Sequence, residues 1–201
     1  QEFKQLKNPD CDYIVTTERI LKADFPIIYI SMALPEREMQ KIKEGIKEIQ
    51  VNHLLELNIL EAIILPIEEK NMESAVKAMV QPLLEEDFVT EEYLQSVLAR
   101  EAMSSTSLNH IALPHGNPAM VQNTRLVIGR MNHPILWDDS KVSCAFLFAV
   151  SSEMLKEKPM LFNTFYRTMA DPEVEESIKK LQMEKNLPDE VFRQKLFQIL
   201  R

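Results

Sequence analysis

The sequence predicts an α/β fold, a mixed β-sheet flanked by helices, and three observations predict it. Short apolar runs rich in β-branched residues alternate in blocks with amphipathic stretches at helical spacing. Helix-start chemistry, at Asn71, Thr90 and Asp171-Pro172, stands ahead of several of those stretches. Val142–Val150 is the most continuous apolar run and reads as a central strand.

The elements follow in order. Tyr13-Ile-Val-Thr-Thr17 is β-branched and aromatic, as strands prefer. Phe25-Pro-Ile-Ile-Tyr-Ile-Ser31 reads as a second strand, buried on both faces. Pro35 opens a helix over Glu36–Ile46 with Met39, Ile42 and Ile46 on its apolar face. Two strands and a helix cannot close a core, so this is half a domain or an annex. Gly45 to about His53 is polar and reads as a joint, which sets a first segment at 1–48 and a second at 49–201.

In the second segment, Ile59–Ile67 reads as a strand. Asn71 caps a helix burying Ala75, Val76, Met79 and Val80, and Thr90 caps another with Leu94, Val97 and Leu98 at helical spacing. After the turn residues Ser104-Ser-Thr-Ser107 comes a short strand, Ile111-Ala-Leu113, ending at Pro114-His115-Gly116. Thr124–Met131, Pro134-Ile-Leu-Trp137 and Val142–Val150 are three further strands. Three helices close the chain, over Met160–Met169, from Asp171-Pro172, and from Pro188.

Composition bounds the function. Of 201 residues, 45% are hydrophobic and 27% charged, which excludes wholesale disorder. No apolar run approaches a membrane span, and no secretory signal opens the chain, so a cytoplasmic location is expected. The chain starts at Gln1 and enters a strand almost at once, so it reads as a piece of something longer. Net charge is −8, and the first fifty residues hold 8 basic and 9 acidic side chains, so neither segment offers a cationic stripe for a phosphate backbone. Cys11 and Cys144 form no CxxC pair, which argues against structural zinc and for buried free thiols. No Gly-x-Ser-x-Gly elbow of a hydrolase is present.

Of the four histidines, His115 has the setting of a functional group. It ends an apolar strand, with Pro114 fixing its direction and Gly116 allowing a second molecule to approach. A neutral imidazole near pH 7 can attack phosphorus without a separate base. Arg100-Glu101 lies at a helix end fifteen residues upstream, and the Ser/Thr turn can fold Arg100 back toward His115. A guanidinium matches two phosphate oxygens, and Ser105 and Thr106 add hydroxyl donors. The bland alternative for Arg100 is a surface ion pair with Glu101 or Glu92.

Ala99-Arg-Glu-Ala-Met-Ser-Ser-Thr106 followed by Ile111-Ala-Leu-Pro-His-Gly116 resembles the active-site signature of the mannitol/fructose-type enzyme IIA domain of the bacterial phosphoenolpyruvate-dependent sugar phosphotransferase system. The resemblance covers about residues 54–198. It implies that His115 accepts a phosphoryl group from the phosphocarrier HPr, with Arg100 beside the phosphohistidine and Ser105 and Thr106 in support. It implies no metal and no cofactor.

Three features depart from the family pattern, one of them a Ser151–Pro159 stretch longer and more polar than the pattern expects. Leu108-Asn-His110 stands where the family usually has a glycine, and His110 becomes either a further phosphate-supporting residue or a plain surface one. The second active-site histidine of many relay domains aligns near Lys158, which can contact phosphate as a point charge but cannot reproduce the hydrogen bonding of histidine.

Asp12-Tyr-Ile-Val-Thr-Thr17, Phe25–Ser31 and the helix at Glu36 are similar to the latter half of an enzyme IIB-like domain. Cys11 does not match the IIB phosphocysteine. A IIB-like half followed by IIA is the tail order of transcriptional activators and antiterminators with PTS regulation domains, the BglG family. The resemblance therefore implies a regulatory domain phosphorylated on His115 by phospho-HPr. Its partners would be HPr and upstream regulatory domains, with no direct nucleic-acid or membrane contact and with homodimerisation left open. The alternative is an enzyme IIA component that passes phosphate to the IIB domain of a fructose- or mannitol-class permease. A third reading is an interaction domain with an inert His115.

Overall fold

The computed structural model describes residues 13–18, 26–31, 36–56, 59–184 and 186–200. They fall into two compact units, Gln1–His53 and Leu54–Arg201. Cys11, Phe25 and Pro35 lie outside the described residues.

In the first unit β1 (Ile14–Thr16) pairs in parallel with β2 (Ile27–Tyr29). The second strand is covered on one face only: Ile28 is buried and Tyr29 exposed, as period-two alternation requires. Helix α1 (Glu36–Glu56) runs ten residues beyond the expected end at Ile46. Gly45 does not interrupt it. A Cβ there would come 2.9 Å from Ile28 Cδ1, so the missing side chain lets the helix lie close on β2. The face turned inward carries Glu38 and Ile49, while Met39, expected inside, is exposed. Glu38 stays charged there because its carboxylate accepts from Lys41 Nζ at 2.9 Å and from the Ser31 amide at 3.2 Å.

The second unit is a five-stranded mixed sheet between two helical layers. Its strands are β3 (Ile63–Ile67), β4 (Ser107–Leu108), β5 (Ile111–Ala112), β6 (Arg125–Trp137) and β7 (Ser140–Ala149), in the order β3-β6-β7-β5-β4. β3 runs parallel to β6, β6 antiparallel to β7, β5 parallel to β7, and β4 antiparallel to β5. The helices are α2 (Met72–Glu85), α3 (Tyr93–Met103), α4 (Ser152–Glu157), α5 (Pro159–Met169), α6 (Pro172–Met183) and α7 (Asp189–Leu200).

Strand alternation builds both cores. On β7, Cys144, Phe146 and Phe148 face the layer of α5, α6 and α7, where Phe165, Ile178, Phe192 and Leu196 complete one apolar cluster. Ala145, Leu147 and Ala149 face the opposite layer, with Val76, Met79, Tyr93 and Val97 of α2 and α3. Burial on both faces is why Val142–Val150 reads as unbroken hydrophobicity.

Local chemistry sets most boundaries. Asn71 caps α2, accepting the Ser74 amide at 2.9 Å, and Asp171 caps α6, accepting the Glu173 amide at 2.8 Å. Thr90 is not the cap of α3. It stands in a turn whose carbonyl accepts the Tyr93 amide, and Glu92 is the capping position, with no side-chain bond to the helix amides.

Three other elements differ from expectation. Ile59–Glu61 is a single 3-10 turn ahead of β3. The stretches expected as two strands are one strand, β6, whose register on β7 shifts between Arg130 and Ile135. The polar stretch after β7 forms the unexpected short helix α4, capped by Ser151 Oγ on the Met154 amide at 3.2 Å.

Candidate functional site

His115 stands just past the end of β5. Its backbone bridges to Phe148 near the end of β7, and the Phe148 amide donates to the Pro114 carbonyl at 3.1 Å. The ring is half-buried. One edge is fixed by Nδ1, 3.0 Å from the Leu113 carbonyl oxygen. One side is held by the Phe162 ring of α5, edge-on with centroids 5.4 Å apart. A carbonyl can only accept, so this bond assigns the proton to Nδ1 and leaves the lone pair on Nε2. The imidazole is thus held in place with its lone pair on one defined nitrogen.

The segment after His115 is clamped by α3. The buried Tyr93 hydroxyl donates to the Phe148 carbonyl at 3.0 Å and accepts the Gly116 amide at 3.3 Å. Ser96 Oγ accepts the Asn117 amide at 3.0 Å and donates to the Tyr93 carbonyl at 2.7 Å. Burial pushes the Tyr93 phenol pKa well above its ordinary value, so its hydroxyl stays a neutral donor. Gly116 is needed for this contact. A Cβ there would lie 2.5 Å from Ser96 Oγ and 2.6 Å from Tyr93 Cε2. The side a residue would fill is occupied by α3, so the glycine serves internal packing rather than the approach of a visitor.

Arg100 ends the same helix. Its Nη1 donates to the Ser104 carbonyl at 2.8 Å, which satisfies one of the unpaired acceptors at the helix terminus. The chain then enters the β4–β5 hairpin, where the Leu113 amide donates to the Thr106 carbonyl at 3.1 Å. Ser104 stands two residues beyond this bond on one strand and His115 two residues beyond on the other. The hairpin therefore brings the Arg100 end of α3 and His115 to the same end of the sheet. Ser105 belongs to that end too, its hydroxyl 3.0 Å from Ser107 Oγ.

Thr106 and His110 are placed otherwise. Thr106 is buried, and both its amide and its hydroxyl donate to the Glu101 carboxylate, which also accepts the Trp137 indole N–H at 3.0 Å. That carboxylate ties α3, β4 and the end of β6 together. His110 lies in the hairpin turn, five residues back along an extended chain, on the order of 16 Å from His115. Its amide donates to Glu175 at 3.1 Å, at the opposite end of β5 from His115. The structure does not bring His110 together with His115.

Lys158 is the capping position of α5, one helical turn ahead of Phe162. Its own amide donates to the Met154 carbonyl at 2.9 Å.

The sequence did not single out Tyr93, Ser96 or the buried role of Glu101. A stripe of Tyr93, Val97 and Glu101 at four-residue spacing was legible, but buried glutamate is rare enough that periodicity alone does not nominate it. Among the described residues no cluster of His, Cys, Asp and Glu is arranged to hold a metal ion, and no helix is long and apolar enough to cross a membrane.

Comparison with known proteins gives this geometry a context. Residues 56–193 match the family model for the phosphoenolpyruvate-dependent sugar phosphotransferase system, EIIA 2. The transcriptional regulator ManR of Bacillus subtilis is 24% identical over 190 residues, covering 90% of this chain and 29% of the relative. The probable licABCH operon regulator of the same organism is 23% identical over 196 residues, covering 96% and 30%. The chain thus spans about a third of the length of these regulators.

Solved structures share the fold. IIA mannitol from Escherichia coli matches with TM-score 0.54 and 22% identity, over 70% of this chain and 96% of that one. The same enzyme IIA in complex with phosphorylated enzyme IIB matches with TM-score 0.53 and 21% identity, over 70% and 94%. The fold, a mixed sheet between helical layers, is that of these domains, and the family model covers well over half of the sequence. The chain belongs to the EIIA 2 family of the phosphoenolpyruvate-dependent sugar phosphotransferase system.

Proposed function

We propose that residues 49–201 are a phosphoryl-accepting regulatory domain of a PTS-controlled transcriptional regulator, phosphorylated on His115 by phospho-HPr. The observation that carries the reading is the held imidazole: Nδ1 is engaged by Leu113 at 3.0 Å, so Nε2 is the free nucleophile. Its lone pair attacks phosphorus, the donor's P–N bond breaks, and that electron pair stays with the donor imidazole. Little covalent chemistry falls to the protein, so orientation and a nearby cation do the work. Arg100 supplies the cation, with Ser105 at the same end of the sheet. Phosphorylation adds ~1.5–2 negative charges, which changes what packs against this end of the domain.

The regulatory reading is supported by the curated relatives, both regulators by name, and by lysine rather than histidine at position 158. Upstream regulatory domains of the same protein are its expected partners, with the first segment, 1–48, as the latter half of a IIB-like domain. One observation favours a relay to an enzyme IIB: the Escherichia coli neighbour is itself complexed with phosphorylated IIB.

The test is to incubate the chain with enzyme I, HPr and phosphoenolpyruvate. Acid-labile phosphate should appear and be absent from His115→Ala. No uptake, or uptake that survives His115→Ala, would overturn the proposal. A chase with purified IIB separates sensor from relay, since a sensor keeps its label.

A further inference from the structure

One face of α3 carries Tyr93, Ser96, Val97 and Arg100, spaced so that they share a side of the helix. Three of them point their chemistry at the ends of the β4–β5 hairpin. Tyr93 and Ser96 take the two amides that follow His115, Gly116 at 3.3 Å and Asn117 at 3.0 Å, and Arg100 takes the carbonyl of Ser104 at 2.8 Å. Tyr93 also anchors to β7 through the Phe148 carbonyl at 3.0 Å, the strand residue whose backbone bridges to His115. Both polar functions of the phenol are therefore spent on backbone flanking the nucleophile. A tyrosine kept only for its ring would not need them, since phenylalanine fills the same volume.

The geometry points to Tyr93 as a positioning residue for phosphoryl acceptance: its buried hydroxyl ties the His115 segment to the same helical face that presents Arg100, so nucleophile and cation share one rigid reference. The inference rests on the proposed phosphorylation of His115. Without the hydroxyl, the Phe148 carbonyl and the Gly116 amide lose a shared partner inside the protein. The segment then gains freedom at the point where the imidazole is aimed. Displacement of a reacting group by about 1 Å costs on the order of a hundredfold in rate. The incoming donor meets an unchanged outer surface, because Tyr93 is fully buried.

The test compares wild type, Tyr93→Phe and Ser96→Ala as full 201-residue chains, with phospho-HPr varied over its saturation range. Tyr93→Phe should lower the saturating rate of phosphoryl uptake by about tenfold or more while the half-saturating HPr concentration stays put. Ser96→Ala should give a smaller fall of the same kind. Nitrogen NMR of the imidazole should show the wild-type ring with its proton on Nδ1 and a mixture of tautomers in Tyr93→Phe. A wild-type rate in Tyr93→Phe, or a loss confined to the half-saturating concentration, overturns the assignment. If Tyr93→Phe does not fold, an unaltered saturating rate in Ser96→Ala overturns it instead. Absence of uptake by wild type removes the His115 reading itself, whereas uptake by wild type with no loss in the variants removes only this inference.

Discussion

The Nδ1 atom of His115 lies 3.0 Å from the carbonyl oxygen of Leu113, two residues back along the same strand end. This short bond decides which nitrogen can react. Phosphorus should be found on Nε2, read from nitrogen–phosphorus coupling in the labelled, phosphorylated chain. Phosphate on Nδ1 would mean that the Leu113 bond breaks before transfer.

Glu101 should prove structural rather than chemical. Its carboxylate receives the Thr106 amide at 3.1 Å, the Thr106 hydroxyl and the Trp137 indole at 3.0 Å. Glu101→Gln turns one acceptor into a donor facing other donors. A loss of about 2–3 kcal/mol in urea unfolding is expected. Trp137→Phe, which removes one donor, should cost less than Glu101→Gln. A Glu101→Gln variant as stable as wild type would contradict the buried hub.

Gly116→Ala places a methyl where Ser96 Oγ would be 2.5 Å away and Tyr93 Cε2 2.6 Å away. Destabilisation of about 1–3 kcal/mol is expected from thermal unfolding. Adding Ser96→Ala removes the nearest of those atoms but leaves the aromatic ring, so the pair should recover part of the loss. Full tolerance of Gly116→Ala on its own would show that the segment can move away from α3.

Cys144 is fully buried beneath the helical layer of α5 to α7, and burial pushes its thiol up to about 12 from an ordinary 9.0. The native state therefore keeps its proton at pH values where the unfolded state has lost it. Stability from this source is complete below pH 9 and declines as pH rises from about 9 to about 12. The buried Tyr93 hydroxyl acts in the same direction from about pH 10 upward. Unfolding free energy measured against pH should fall across this range, and less steeply in Cys144→Ala. At neutral pH, thiol reagents should modify Cys144 only as fast as the protein opens. Rapid modification of the folded chain would contradict the burial.

Much of the fold and part of the site could be read directly along the chain. The caps Asn71 and Asp171, the proline start of α6, and the continuous apolar run of β7 are each set by neighbours a few residues away, so local chemistry sufficed. His115 was legible for the same reason, since a strand end flanked by proline and glycine is a local feature. What holds His115 was not legible. Tyr93 meets Phe148 across 55 residues and Glu101 meets Trp137 across 36, and no periodicity encodes such pairings. The role of Gly116 was misread because the space beside it is filled by α3, which only packing reveals. His110, near His115 in sequence, is remote in space because an extended chain advances about 3.3 Å per residue. Residue types and local spacing determined by themselves that an imidazole ends a strand; the order in which strands and helices stack decided what stands beside it, because α3 and α5 reach it only through packing on the sheet.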